Sequence, residues 1–216
     1  MSIAVYDVGL TRGRTLTVDH RDGSATVLDL PRWLGPARGA DHSLLERVVG
    51  PALDVGCGPG RLVAALAARG CPALGLDIAP SAVQMAQRAG GAAHLGSVFG
   101  DVPGAGTWSA ALLIDGNIGI GGDPVALLRR CAELLAAGGR VLLELAPPGS
   151  ACGSEQLRLR DDAGAVGRWF PWATVGAHSV AQTARAAGLE VVEQWSAGDE
   201  QCDGGGVRWF AALAGA

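Results

Sequence analysis

The chain contains no lysine, and its 17 basic residues, all arginine, are dispersed without a cluster. With a formal charge of −4, nothing in it is gathered to neutralise a phosphate backbone, so nucleic acid is not an expected partner. No apolar run approaches the roughly 20 residues of a membrane span. The start, Met1-Ser2-Ile3-Ala4-Val5-Tyr6-Asp7, lacks the basic end and long apolar centre of a secretory signal. These absences point to a soluble cytoplasmic protein with no membrane partner. The five cysteines, Cys57, Cys71, Cys131, Cys152 and Cys202, are odd in number and never closer than 14 residues. That spacing suits neither a disulfide framework nor a zinc site; it fits a reducing compartment, and no metal is expected.

What is present is a globular composition, 49% apolar and 18% charged, over 216 residues, enough for one substantial core. The organising stretch is Leu53-Asp54-Val55-Gly56-Cys57-Gly58-Pro59-Gly60-Arg61. An apolar run breaks into three glycines spaced two apart and then into the helical pattern of residues 62–68, which reads as strand, tight turn and helix. Glycine permits positive φ and close approach of a ligand, and the helix start offers unpaired N–H groups. The dinucleotide-binding form of this turn is spaced G-x-G-x-x-G and seats a pyrophosphate. Here the spacing is G-x-G-x-G and Asp54 precedes it. A carboxylate there repels a pyrophosphate but attracts a cation, by roughly 4 kcal/mol at 4 Å with an effective dielectric near 20. The turn therefore suits a cationic, nucleoside-like ligand.

Around this turn the chain alternates. Residues 3–8 read as a short strand, and 14–19 with 24–29 as a hairpin about Asp22-Gly23. Together residues 1–40 form an N-terminal flap of the same domain. Asp41 is expected to cap a helix ending at Gly50-Pro51. Then follow helix 60–69, strand 73–77, helix 80–89, strand 92–95, strand 110–115, a helix opened by Asp123-Pro124 and closed by Gly138-Gly139, and strand 141–145. Such repeats predict an α/β fold: a Rossmann-like, doubly wound, seven-stranded, mostly parallel sheet. Segments 156–160 and 166–170 read as a small β insertion, at about 150–175, over the ligand edge. A helix near 178–187 and strands 191–195 and 207–211 close residues 41–216 as an antiparallel edge hairpin.

At these residues the sequence resembles the class I S-adenosylmethionine-dependent methyltransferases, from about residue 41 to the end. LDVGCGPGR is similar to that family's first motif, LGLDIAPSAVQMAQ to its second, and AELLAAGGRVLLE to the helix and strand after its fourth strand. DGNIGIGGDPVALLRR and WFPWATVG are similar to small bacterial members. The resemblance implies transfer of a methyl group from S-adenosyl-L-methionine, leaving S-adenosyl-L-homocysteine, to O, N or C of a small-molecule acceptor by in-line displacement. It also implies cofactor positions at Asp54, Gly56, Cys57, Gly58, Gly60, Asp77, Ile78, Ser97, Val98, Asp115 and Gly116. The place that it gives the methionine end also lines the acceptor site, at Asp115, Gly116 and Asn117.

Each residue type also has its own reading. Asp77 ends a strand 21 residues after Gly56, where a carboxylate accepts both ribose hydroxyls; otherwise it caps helix 80–89. Asp115-Gly116 is also ordinary turn chemistry. Cys57, at a helix start, is a small filler or a reactive thiol. Trp169, Phe170 and Trp172 either wall the acceptor or pack the insertion, and Tyr6 closes over the same place. Asn117, His94 and His178 are candidate catalytic groups; His42 is a further base candidate, and His20 a solvated histidine. Two other classes stay open, an NAD-dependent oxidoreductase and a non-catalytic S-adenosylmethionine-binding protein. The chain is expected to act as a monomer or a homodimer.

Overall fold

In the computed structural model, residues 3–199 and 206–215 are described; Cys202 lies outside them. In chain order the elements are α1 (Ile3–Arg12), β1 (Leu16–His20), β2 (Ala25–Val27), α2 (Leu30–Leu34), α3 (Ala40–Leu45), β3 (Ala52–Val55), α4 (Arg61–Ala68), β4 (Ala73–Asp77), α5 (Pro80–Arg88), β5 (Ala92–Leu95) and β6 (Trp108–Leu113). Then come α6 (Pro124–Leu134), β7 (Leu135–Leu145), β8 (Gly153–Asp161), β9 (Phe170–Thr174), α7 (Val180–Ala186), β10 (Leu189–Asp199) and β11 (Gly206–Gly215).

The main sheet has seven strands in the order β10-β11-β7-β6-β3-β4-β5. Its central pairs are parallel, and β11 runs antiparallel to both β7 and β10. Alternation along each strand divides its burial between two faces. Leu53, Ala111, Leu113, Val141 and Leu143 pack against Leu127, Leu128 and Leu134 of α6 and Val180 of α7. Ala52, Ala110, Leu112, Leu142 and Phe210 pack against Leu44 of α3 and Leu62 and Leu66 of α4. Helices on both faces place the carboxyl ends of the parallel strands at one open edge, where doubly wound sheets hold ligands.

A second sheet of four strands, β2-β1-β8-β9, covers that region. The β1–β2 hairpin turns at Asp22-Gly23 as its residues require, with Gly23 at φ 90. Its partner was not foreseen: β1 pairs antiparallel with β8, Leu16 opposite Asp161 and His20 opposite Leu157. Flap and insertion are thus one cover. The insertion's second strand lies at β9 instead of 166–170, although Arg160 still bridges Val166.

Three local readings are corrected. Residues 3–8 are helical, because Val5, Tyr6, Gly9 and Leu10 bury a helical face with Ala79, Ala82 and Leu159. Asp41 is not a cap: Gly39 precedes α3, and Asp41 sits buried in its first turn. The helix after Asp123 stops at Leu134, where Leu135 turns extended and β7 begins; Asp123 itself caps it, accepting from Ala126 N–H at 3.0 Å. Among the described residues no helix is long and apolar enough to cross a membrane.

Candidate active site

The glycine turn is anchored to the neighbouring strand. Gly56 and Cys57 both donate their N–H to the Leu76 carbonyl, at 2.7 and 3.1 Å. Its three glycines have positive φ but face different neighbours. A Cβ on Gly56 would stand 2.7 Å from Asn117 Nδ2, and one on Gly58 3.4 Å from the Tyr6 hydroxyl. One on Gly60 would fall 2.5 Å from Ala86 Cβ, so Gly60 lets α4 close on α5 and does not border the cavity. Cys57 is buried, and burial, then Asp54 and Asp77, push its thiol well above the ordinary range. Its side chain packs with Val63 and Ala86.

Two carboxyls flank the turn. Asp77 accepts from Gly58 N–H and Ala79 N–H, both at 2.9 Å, so it shapes both the turn and the start of α5 while bordering the cavity. Burial raises its pKa against those two donors. Asp54 is 2% exposed and no hydrogen bond holds its carboxyl among the described residues. Burial pushes it up to about 7; Arg61 opposes this, and the charges of Asp115, Asp77 and Asp41 add to it.

Beside Asp54 lies a cluster of three arginines and three acids. Arg61 pairs with Asp41 and, at 2.5 Å, with Asp115. Arg208 donates to Asp41 at 2.6 Å and to both oxygens of Glu144 at 2.8 and 2.6 Å, and lies 3.3 Å from Asp115. Arg32 stands 3.2 Å from Asp115. Burial lifts Asp41 and Glu144, but the guanidiniums outweigh it and hold both below their ordinary values; for Asp115 burial prevails and the pKa rises. Asp115 has φ 55, the one positive value on a non-glycine residue among the described residues. Asn117 follows, its Nδ2 donating to Val55 and Gly56 carbonyls at 2.9 Å each, which ties the end of β6 to the glycine turn.

The glycine turn, Asp54, Asp77, Arg61, Asp115 and Asn117 border one cavity of about 500 Å³. On the sheet side it meets Asp54, Gly56, Cys57, Gly58, Asp77, Ile78, Ser97, Val98, Asp115 and Asn117. On the cover side it meets Tyr6, Phe170 and Trp172, all expected, and Val18, Leu28, Trp33, Leu157 and Leu159, which were not. Tyr6 reaches it from α1 instead of a strand, and burial, then Asp77, Cys57 and Asp115, push its hydroxyl pKa well above the usual range. Gly60, Gly116, Trp169, His94 and His178 do not border the cavity. Trp169 instead meets the guanidiniums of Arg21 and Arg158, 4.2 and 4.8 Å from its ring centroid. His94 is exposed; exposed His178 accepts from Gly149 N–H at 3.3 Å; exposed His42 lies 3.2 Å from Arg69, and His20 2.8 Å from Glu155. No histidine borders the cavity.

A family model described as a methyltransferase domain matches residues 39–194, and the chain belongs to that family. A comparison with curated protein sequences finds no match. Among solved structures, an S-adenosylmethionine-dependent methyltransferase from Bacteroides fragilis in complex with S-adenosyl-L-homocysteine is similar at 20% identity and TM-score 0.79, covering 100% of this chain and 94% of that one. The CcbJ methyltransferase from Streptomyces caelestis is similar at 17% identity and TM-score 0.61, over 85% of this chain and 92% of that one. An amino pentose methyltransferase from Micromonospora echinaspora, involved in calicheamicin biosynthesis and bound to S-adenosylmethionine, is similar at 20% identity and TM-score 0.55, over 85% and 94%. These likenesses share the Rossmann-like fold described above.

Proposed function

We propose that this protein transfers a methyl group from S-adenosylmethionine to O, N or C of a small acceptor, in the cytoplasm of a bacterium. The observation that carries this reading is the carboxyl of Asp54, which accepts no hydrogen bond among the described residues and borders the same cavity as the glycine turn and Asp77. The residues fit such a donor. Gly58, at φ 54, leaves the space beside the Tyr6 hydroxyl open, Asp77 keeps lone pairs for ribose hydroxyls, and Asp54 calls for a cation. Ile78, Ser97 and Val98 would flank the base, with Asp115 near the methionine end. When bound, the donor would supply a methyl carbon activated by the sulfonium charge, with the carbon–sulfur electron pair left on sulfur.

The chain's own part is positioning, which can supply roughly 7–11 kcal/mol of a barrier. Asn117 holds the corner of the site through its two carbonyl contacts, leaving its Oδ1 for the acceptor, while Tyr6, Phe170 and Trp172 enclose it. Residues 1–40 and about 150–175 serve as the cover of a single domain spanning the chain. Calorimetric titration tests the reading with S-adenosylmethionine, S-adenosyl-L-homocysteine and NAD. The first two should bind and NAD should not; tight NAD binding without the sulfonium would overturn it. An Asp77→Ala variant should weaken donor binding by about tenfold or more, the scale of a lost charge-assisted hydrogen bond.

A further inference from the structure

We infer that the acceptor is an uncharged, lipophilic ring compound methylated at a phenol-type hydroxyl. This rests on the methyltransferase reading and concerns the cover side of the same cavity. The register of β8 sorts its side chains by charge. Leu157 and Leu159 face inward and border the cavity, whereas Arg158 and Arg160 alternate outward and pair with Asp19 at 3.0 and 3.1 Å. The two acids of β8 are both engaged elsewhere: Glu155 pairs with His20 at 2.8 Å, and Asp161 is spent on its own turn, accepting from Ala163 and Ala165 N–H at 3.1 and 2.7 Å. Val18 and Leu28 complete an apolar wall. A charged or heavily hydroxylated acceptor would shed its water there without replacement partners, at a cost of several kcal/mol.

Two aromatic pairs border the same space, both edge-to-face: Phe170 with Trp172 at 6.1 Å and Tyr6 with Trp33 at 6.5 Å. Such walls favour a ring. The choice of nucleophile follows from the acids. Asp77 is held by two N–H groups and Asp115 by guanidiniums, and Asp54 would face the donor, so among the described residues that border the cavity none is a free base for the acceptor. A phenol, with an ordinary pKa near 10, loses its proton to water more readily beside a cation, by roughly 1–3 units. An alkyl amine would instead bring a second positive charge against the sulfonium.

The test uses the whole protein loaded with S-adenosyl-L-homocysteine, titrated with 4-ethylphenol, 4-phenylphenol, 4′-hydroxybiphenyl-4-carboxylate and glucosamine, and followed by tryptophan fluorescence and calorimetry. The neutral phenols should bind, the carboxylate at least about tenfold more weakly, and glucosamine not detectably. Trp33→Leu and Trp172→Leu should each weaken phenol binding while the affinity for S-adenosyl-L-homocysteine stays unchanged, which also shows that the variants fold. With S-adenosylmethionine, the methyl ether of the phenol should appear by mass spectrometry. Equal or tighter binding of glucosamine or the carboxylate overturns the proposal, as does phenol binding that neither tryptophan variant alters. If S-adenosyl-L-homocysteine binds and the phenols do not, the acceptor class alone is wrong. If S-adenosyl-L-homocysteine itself does not bind, the underlying methyltransferase reading fails.

Discussion

A carboxyl buried without a hydrogen-bond donor resists ionisation, and Asp54 is placed to make that resistance measurable. Its pKa is raised to about 7 in the folded chain, so between the unfolded value and about 7 the native state holds a proton that the unfolded state has lost. Stability must then fall as pH rises through this window, by up to roughly 4 kcal/mol. Thermal melts between pH 5 and 8 should show the decline, and Asp54→Asn should flatten it. A cation seated against Asp54 favours the ionised form. Binding of S-adenosylmethionine at pH 6 should therefore release about one proton, read from calorimetry in two buffers of different ionisation enthalpy, and Asp54→Asn should release none. Two residues show what was legible at this scale. Phe170 and Trp172 border the cavity and Trp169 does not, a split that the period-two alternation of a strand already contains. Arg61 went unread, although a cation in the first turn of α4 opposes the helix dipole and so announces acidic partners such as Asp41 and Asp115.

Elements whose ends carry their own signals were legible to within a residue or two. Pro80 and Gly90 bracket α5, Gly70 ends α4, and β4 and β5 fall where their apolar runs stand. Helix α1 was not, because its partners lie far along the chain: Asp7 accepts the N–H of Ser81 at 3.1 Å and its hydroxyl as well, so α1 supplies α5 with a cap that Ala79 lacks. The β1–β8 pairing was hidden for the same reason, since nothing local to either strand names the other. The glycine turn separates local strain from packing. In Gly58→Ala the new methyl meets only the Tyr6 hydroxyl at 3.4 Å, so the fold should lose about 1–2 kcal/mol of stability to backbone strain while donor affinity drops. In Gly60→Ala the methyl meets Ala86 at 2.5 Å, adding about 1–3 kcal/mol of overpacking. Melting temperatures and donor titrations of the two variants should thus rank in opposite orders, Gly60→Ala the less stable and Gly58→Ala the weaker binder.

Across the whole molecule, the arginine–carboxylate cluster joins pieces that the sheets alone leave separate. Arg208 comes from β11, Glu144 from β7, Asp115 from the end of β6, Arg61 from α4, Asp41 from α3 and Arg32 from α2. Three positive and three negative groups balance, which is what a buried cluster requires; removing one member strands the others. Arg208→Met takes away the partner that Glu144 shares through two contacts and Asp41 through one. Unfolding by denaturant at pH 7 should show a loss of about 3–5 kcal/mol, and Arg208→Met combined with Glu144→Gln should recover part of it. The acid limb carries the sign. Asp41 and Glu144 have folded pKa values below their unfolded ones, so their contribution is present above the unfolded values and disappears as pH falls through the folded ones. Wild-type protein should therefore lose stability steeply on acidification below about pH 4. Arg208→Met, already lacking that contribution, should show a shallower acid limb, and an unchanged one would mean that the cluster does not join these elements energetically.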